Sequence, residues 1–152
     1  MSEKQEKARE LFLNGYNCSQ AVFCAFAEDY GISRELALRL SASFGGGIGR
    51  MRETCGALCG AVMIAGLEKG QVTPNDNNAK QENYKAVQDI AARFRDMNGS
   101  TRCAELLKLR KDTPVTTIPD ERTAEYYKQR PCLRMVESAV GIIEDFLSDK
   151  TM

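Results

Sequence analysis

The chain has 152 residues, and its 21 lysine and arginine residues balance its 21 aspartate and glutamate residues. This length suits one domain with a buried core, and the balanced charge gives no electrostatic reason to expect nucleic acid or an anionic membrane as a partner. The sequence contains no histidine, which excludes Ser-His and Cys-His nucleophile pairs and removes the commonest metal ligand. Any catalysis must therefore rely on other side chains.

The N-terminal ten residues are charged and lack the apolar segment of a secretory signal. The longest apolar stretch, from Cys55 to Leu67, is too short to span a membrane and predicts a buried helix. We therefore expect a cytoplasmic protein without a membrane span. Disulfides are seldom structural in that reducing compartment, so the six cysteines indicate redox or metal chemistry.

Hydrophobic spacing is helical along almost the whole chain. A first helix stops near Asn14-Gly15. Asn17 is a typical N-cap for a second helix, which Gly31 closes. Ser33 begins a third helix, which leads to a glycine-rich loop at residues 45–49. The third helix carries Leu36, Leu40 and Phe44.

The middle of the chain predicts two further helices. Thr54 is the expected cap of a helix at residues 55–67, and this helix is apolar all round, so it should lie at the centre of a bundle. A longer amphipathic helix runs from about Asn77 to Met97 and ends at Asn98-Gly99. Its inner face carries Tyr84, Val87, Ile90, Ala91 and Phe94.

The last third predicts a helix from Ser100, a loop at residues 112–119, a short helix at 121–129 and a final helix from Pro131 to about Leu147. No alternating strand pattern is longer than the one from Val115 to Ile118. The sequence therefore predicts an all-α fold, a bundle of about six to eight helices around the apolar helix. We expect residues 1–152 to form a single domain with an ordered core at roughly 5–147.

Four cysteines lie at or near predicted helix starts, namely Cys18, Cys55, Cys103 and Cys132. The first turn of a helix offers unpaired N–H groups and a partial positive charge, which stabilise a thiolate. Arginines lie close in sequence to several of these cysteines, for example Arg50 and Arg52, and suggest that an anion is nearby. Each cysteine alone could equally be a small buried hydrophobe. Their shared position favours a joint site.

The remaining two cysteines occupy different positions. Cys59 follows Cys55 by one helical turn on the same face, so it is a secondary candidate for the site. Cys24 lies in the middle of the second helix, at the kind of apolar position where inert thiols pack. We therefore expect Cys24 to be part of the core.

Three segments together resemble a known signature: Asn17-Cys18-Ser19-Gln20-Ala21-Val22, Phe44-Gly45-Gly46-Gly47-Ile48-Gly49 and Cys55-Gly56-Ala57-Leu58-Cys59-Gly60, followed by single cysteines at 103 and 132. Over roughly residues 5–147, the chain resembles the C_GCAxxG_C_C family, which is regarded as redox-active. The resemblance implies that the family's four cysteines correspond to Cys18, Cys55, Cys103 and Cys132. It also implies that Gly56, Ala57 and Gly60 complete the motif. Members are often encoded near transporter genes, which implies a link to transport.

The glycine-rich loop contains Gly45, Gly46, Gly47 and Gly49. Such loops bind phosphate when they join a strand to a helix, but here no strand precedes the loop and no Walker lysine follows it. Positive φ angles or close packing explain the glycines more simply. Since the loop leads to Cys55, we expect it to shape the mouth of the site. Glu53 is a candidate proton acceptor for Cys55, and Tyr126-Tyr127 is a candidate cover for the site.

Three functions remain open. The first is a thiol–disulfide oxidoreductase that needs no cofactor, with Cys55 as the attacking thiolate and a redox protein or a small thiol as its partner. The second is a zinc or iron–sulfur protein that uses the same four cysteines, although the C-x-x-C pairs of most such sites are absent from the sequence. The third is a transport-associated binding module with structural cysteines. The usual roles of cytosolic cysteines favour the first.

Overall fold

The computed structural model describes residues 1–148, which form eight α-helices and one short 3-10 helix. The elements are α1 (Glu3–Leu13), α2 (Cys18–Phe26), the 3-10 helix (Ala27–Tyr30), α3 (Arg34–Ala42), α4 (Gly56–Lys69), α5 (Asn77–Asn98), α6 (Cys103–Leu106), α7 (Ala124–Gln129) and α8 (Cys132–Ser148). Within residues 1–148 there is no strand, although Thr54 and Arg102 form an isolated antiparallel bridge. The all-α prediction is confirmed.

The centre of the fold is made by α2, α4 and α8, which contact one another. Around them, α1 packs on α2 and α8, α5 packs on α4 and α8, and α3 packs on α2. The apolar helix α4 therefore lies in the core as predicted, but it shares the centre with α2 and α8. The largest fully buried side chains come from six helices and include Phe12, Val22, Ile64, Phe94 and Ile143.

Side-chain caps explain where several helices begin. The predicted Asn17 cap is confirmed, because its side chain accepts a hydrogen bond from the Gln20 amide at 2.9 Å while the Gln20 side chain accepts one from the Asn17 amide at 3.1 Å. Ser33 caps α3 in the same way through the amide of Leu36. Asp76 caps α5 through the amide of Ala79. The cap at Asn17 is reciprocal, and those at Ser33 and Asp76 are single hydrogen bonds. Each satisfies amides that have no partner within the helix.

Two predicted helix starts are wrong. Cys55, not Thr54, is the N-cap residue of α4, and it makes no side-chain cap hydrogen bond. The helix expected from Ser100 begins only at Cys103, because residues 101–104 are held in backbone pairing with residues 52–55. The Ser100 hydroxyl instead accepts a hydrogen bond from the Arg102 amide at 3.0 Å.

The second and third helices are shorter than expected. Helix α2 ends at Phe26 and the 3-10 helix follows it directly. Gly31, with a φ of 75°, caps the end of that 3-10 helix. Helix α3 buries its small residues Ala37 and Ser41 against α2, which leaves Leu36 and Leu40 about half exposed. Small residues allow two helix backbones to approach closely, whereas leucines on that face would hold them apart.

The end of the chain follows the predicted order with shifted limits. Helix α7 starts only at Ala124, after Thr123, whose side chain caps it through the amide of Tyr126. Residues 115–118 form neither a strand nor a helix and are exposed. Helix α8 begins one residue after Pro131. None of the helices within residues 1–148 has the length and apolar character needed to cross a membrane.

Candidate functional site

Four helix starts meet at one cavity of about 400 Å³. Cys18 is the first residue of α2, Cys55 is the N-cap of α4, Cys103 is the first residue of α6 and Cys132 is the first residue of α8. All four line the cavity, and all six cysteines of the chain are free thiols. The cavity is in the size range of small-molecule sites in proteins.

Backbone pairing explains how residues far apart in sequence become neighbours in this cavity. The Cys55 amide donates to the Thr101 carbonyl at 2.8 Å, and the Cys103 amide donates to the Glu53 carbonyl at 2.6 Å. These hydrogen bonds hold the start of α4 against the start of α6. They also fix the side chains of Cys55 and Cys103 on the same wall.

Two glycines of the cysteine motif allow α2 and α4 to approach each other. A Cβ atom added at Gly56 would lie 2.7 Å from the Cys18 sulfur and 2.8 Å from the Phe44 carbonyl oxygen. A Cβ atom at Gly60 would lie 2.9 Å from the Ser19 carbonyl oxygen. All three distances are shorter than real Cβ contacts, so these positions need glycine for the Cys18 sulfur to lie beside the start of α4.

The glycine-rich loop is a chain of left-handed residues. Gly46, Gly47 and Gly49 have φ angles of 67°, 75° and 58°, and Arg50 and Arg52 have φ angles of 64° and 63°. The amides of residues 48–53 donate to carbonyls of residues 43–48, so they do not point toward a phosphate. Gly45, Gly46 and Gly49 line the cavity, while Gly47 packs behind it against Cys103.

Hydrogen bonds make Cys18 the acidic thiol of the group. A hydrogen bond from the Cys55 thiol is the largest cause, and the amides of Gly46, Ser19 and Cys18 add to it. Together they outweigh burial, which acts in the opposite direction, and lower the pKa of Cys18 to about 6. This direction favours the thiolate form of the Cys18 sulfur.

Cys55 has the opposite character. Its hydrogen bond to Cys18, its burial and the negative charge of Cys18 raise the pKa of Cys55 well above the usual range. The amides of Ala57 and Leu58 act against these effects but are weaker. These directions favour Cys18 as the thiolate over Cys55, which the sequence predicts to be the attacking thiol.

Cys103 and Cys132 are neutral thiols on the same cavity wall. Burial raises the pKa of Cys103, although Arg52 donates to its sulfur at 3.7 Å and acts in the opposite direction. Burial also raises the pKa of Cys132 to about 12, and the negative charge of Cys18 adds to the effect. A position at a helix start is thus not enough to ionise a buried thiol.

The other two cysteines lie outside the cavity lining. Cys59 is buried, its sulfur lies 3.8 Å from the Thr54 carbonyl oxygen, and burial raises its pKa to about 11. Cys24 is part of the hydrophobic core, and burial raises its pKa as well. Cys24 therefore occupies the core position that its mid-helix place predicts.

Arginine side chains dominate the charge of the cavity wall. Arg50, Arg52 and Arg130 all reach the same oxygen of Asp120, Oδ2, at 3.1, 3.9 and 3.0 Å. Asp120 lies in the loop before α7, so these ion pairs attach that loop to the rest of the cavity wall. Sequence reasoning missed Asp120, since the charged run after Pro119 has the composition of an ordinary solvated loop.

Arg122 is a second residue that the sequence did not reveal. Its guanidinium donates to the carbonyls of Phe12 and Tyr16 at 3.0 and 3.1 Å, at the end of α1. It also lies 4.5 Å from the ring centre of Phe12 and 4.9 Å from that of Tyr126. Tyr126 lines the cavity, whereas Tyr127 packs edge-on against Phe12. One of the two predicted covering tyrosines therefore faces the site.

Glu53 does not take the place expected of a proton acceptor. Its carboxylate pairs with Arg102 at 3.7 Å, and both side chains are about half exposed. Its contribution to the site is the backbone hydrogen bond to Cys103 described above. Within residues 1–148, no three cysteine or carboxylate side chains are grouped so that they could hold a metal ion. The geometry thus adds no support for a tetrathiolate centre.

The fold and the cavity define an all-helical protein in which helix starts bring four free thiols to one internal site. A family model described as "Putative redox-active protein (C_GCAxxG_C_C)" matches residues 16–146. The chain belongs to this family, as its cysteine pattern predicts. No curated protein and no solved structure gives a significant match. The family description indicates redox activity without naming a substrate or a mechanism.

Proposed function

We propose that the protein carries out thiol–disulfide exchange, with Cys18 as the attacking thiolate and Cys55 as the resolving thiol. The observation that carries this proposal is that both thiols line the cavity and that the Cys18 sulfur lies against Gly56, the residue after Cys55, where an added Cβ would be 2.7 Å from it. A thiolate is the nucleophile in disulfide exchange, and a nearby second thiol is needed to release the product. Cys18 at the start of α2 and Cys55 at the N-cap of α4 are the pair that we assign to these two roles.

The first step forms a mixed disulfide. The Cys18 thiolate attacks one sulfur of a disulfide R–S–S–R, so that a Cys18–S–S–R bond forms and the S–S bond of the substrate breaks. The other half leaves as R–S⁻ and takes a proton from solvent. The amides of Gly46 and Ser19, which donate to the Cys18 sulfur, stabilise its charge before the attack.

The second step follows from the change of charge at Cys18. Its hydrogen bond and its negative charge are among the causes that raise the pKa of Cys55, and both disappear once Cys18 is in a mixed disulfide. Cys55 then loses its proton more readily, helped by the amides of Ala57 and Leu58. Its thiolate attacks the Cys18 sulfur and expels the second R–S⁻. The protein dithiol is oxidised to a disulfide, and the substrate disulfide is reduced to thiols.

Cys103 and Cys132 complete the proposal as a second dithiol at the same cavity. Burial keeps both protonated, so they do not compete with Cys18 in the first attack. Exchange with the Cys18–Cys55 disulfide would oxidise Cys103 and Cys132 to a disulfide and return Cys18 and Cys55 to thiols. A reducing compartment such as the cytoplasm suits a cycle that starts from free thiols.

The test is to trap the mixed disulfide. The reduced protein is mixed with hydroxyethyl disulfide, quenched in acid and mapped by peptide mass spectrometry. The Cys55→Ser variant should accumulate the adduct on Cys18, because serine cannot expel it. The wild type should instead accumulate an internal disulfide.

Two variants serve as controls. Cys18→Ser should form no adduct at a comparable rate, whereas Cys24→Ala should behave as the wild type because Cys24 lies in the core. An adduct that maps to another cysteine, or a Cys18→Ser variant that reacts at the wild-type rate, would refute the proposal.

A further inference from the structure

The cavity is strongly cationic in a chain whose overall charge is balanced. Four arginines and a single carboxylate line it, namely Arg50, Arg52, Arg122, Arg130 and Asp120. The whole chain carries 21 basic and 21 acidic residues. The surplus of positive charge is therefore local to the wall that holds the four thiols. A concave, partly buried site concentrates such a field and attracts anions into it.

The arginines around Asp120 retain hydrogen-bonding capacity. Three guanidinium groups converge on one oxygen of this carboxylate, although each guanidinium has five N–H donors. Their side chains are 22%, 14% and 24% exposed for Arg50, Arg52 and Arg130, so they face the cavity rather than bulk solvent. A site that already binds one carboxylate in this way offers the same planar donors to a second.

The access to Cys18 limits the size of its partner. Cys18 is only 8% exposed, and its sulfur lies at the wall of the cavity against Gly56. A flat protein surface cannot reach a sulfur in that position, whereas a molecule that fits within about 400 Å³ can enter. The partner must therefore be small, and it must tolerate a cationic wall.

We propose that the substrate is a low-molecular-weight disulfide that carries carboxylate groups. This inference rests on the proposed function, since it names the disulfide that the Cys18 thiolate attacks. A carboxylate of the substrate binds Arg50 and Arg130 beside Asp120, which brings the S–S bond over Cys18. Exchange then gives the Cys18 mixed disulfide and one anionic thiol, and attack by Cys55 releases the second thiol. The substrate is reduced, and Cys18 and Cys55 are oxidised.

The test compares three disulfides of similar size and different charge: dithiodipropionate, which is anionic, hydroxyethyl disulfide, which is neutral, and cystamine, which is cationic. The rate of adduct formation at Cys18 is measured in the Cys55→Ser background, where the adduct persists. Each rate is divided by the rate of the same disulfide with free mercaptoethanol, which removes differences in intrinsic reactivity. The anionic probe should react about tenfold faster than the neutral probe, and the cationic probe should be slowest.

A charge-matched pair of variants locates the effect. Arg50→Gln with Arg130→Gln should reduce the ratio of anionic to neutral rates to below about threefold, because the donors beside Asp120 are lost. Arg39→Gln with Arg95→Gln removes the same charge from exposed positions outside the cavity lining and should keep the wild-type ratio. If the first pair perturbs the fold, added salt gives an independent measurement in protein with native arginines, since it should slow the anionic probe and leave the neutral one unchanged.

The outcomes separate this inference from the proposed function. Equal normalised rates for all three probes would overturn the anionic substrate, and an anionic preference that survives Arg50→Gln with Arg130→Gln would overturn the binding of its carboxylate by these two arginines. Either result leaves Cys18 as the nucleophile. If no probe forms an adduct at Cys18, the proposed function itself fails. A preference for the anionic probe that salt and the cavity variants abolish would support both.

Discussion

The four cavity cysteines occupy similar positions at helix starts, yet their acidity differs because their hydrogen bonds differ. The Cys18 sulfur accepts from the Cys55 thiol and from backbone amides, and these donors outweigh burial. Cys132 occupies the first position of a longer helix, but burial raises its pKa to about 12. A partial charge at a helix end is a modest effect. Direct donors to the sulfur therefore decide which thiol ionises.

At this scale we predict that Cys55→Ala and Cys55→Ser have different effects on Cys18. Alanine removes the largest cause of the lowered pKa, so the pKa of Cys18 should rise from about 6 toward that of an ordinary thiol. Serine keeps an O–H donor and should hold the pKa of Cys18 closer to its wild-type value. The measurement is the pH midpoint of Cys18 alkylation, read by mass spectrometry. Identical midpoints in the two variants would show that the hydrogen bond has no such role.

The sequence predicted the residues that carry the thiols better than the residues that surround them. Cys18, Cys55, Cys103 and Cys132 were identifiable because they stand beside local helix-start signals. Asp120 was not, since its three arginine partners come from the loop before α4 and from the end of α7. Periodicity and capping report on near neighbours along the chain, and they contain no signal for an ion pair that spans the fold.

Between elements, the start of α4 packs unusually close to α2. The closeness depends on Gly56 and Gly60, where a Cβ would meet the Cys18 sulfur and the α2 backbone. Close packing places the Cys55 thiol within hydrogen-bonding range of Cys18. The sequence did not reveal that Cys55 itself is the N-cap of α4, because the pairing of residues 52–55 with residues 101–104 is not local.

For this element we predict opposite effects from two glycine substitutions in α4. Gly56→Ala should destabilise the protein by about 1–3 kcal/mol, because the new Cβ would press on the Cys18 sulfur and on the Phe44 carbonyl. Gly66→Ala adds a methyl group with nothing within 4 Å, so it should be neutral or stabilise by up to about 1 kcal/mol. Urea unfolding of both variants checks the difference. Equal stabilities would contradict the tight packing at Gly56.

Over the whole molecule, helices from every part of the chain contribute to one cavity. Its thiols come from α2, α4, α6 and α8, and its cationic wall includes the loop on either side of Asp120. The all-α class was predictable because each helix carries its own periodic pattern and caps. The meeting of the four helix starts was not, since it depends on packing between helices that are distant in sequence.

We predict that the stability of the whole fold depends on pH through Cys18. The pKa of Cys18 is about 6 in the folded protein and about 8.5 in an unfolded chain, so the unfolded state binds more protons between these values. The free energy of unfolding should therefore rise with pH over this window, with a limiting slope of about 1.4 kcal/mol per pH unit. The stabilisation is lost as the pH falls through about 6. The chain has no histidine to titrate in the same range.

Variants isolate the contribution of Cys18 to this rise. In urea unfolding under reducing conditions, the free energy of unfolding should rise between about pH 6 and 8.5 in the wild type and in Cys24→Ala. It should not rise in Cys18→Ser. Above about pH 8.5 the free energy of unfolding should fall as the pH rises. Cys59 and Cys132 keep their protons in the folded protein, where their pKa values are raised to about 11 and about 12, and lose them on unfolding. A rise that persists in Cys18→Ser would assign the effect to other groups.

The proposed chemistry requires Cys18 to be the one thiolate among the six cysteines at neutral pH. The most direct measurement is the alkylation rate of each cysteine in the native, reduced wild type, followed by peptide mass spectrometry as a function of pH. We expect Cys18 to react first, with a midpoint near pH 6, while Cys55, Cys103 and Cys132 stay slow through neutral pH. A faster reaction at Cys55, or a Cys18 midpoint near that of an ordinary thiol, would contradict it.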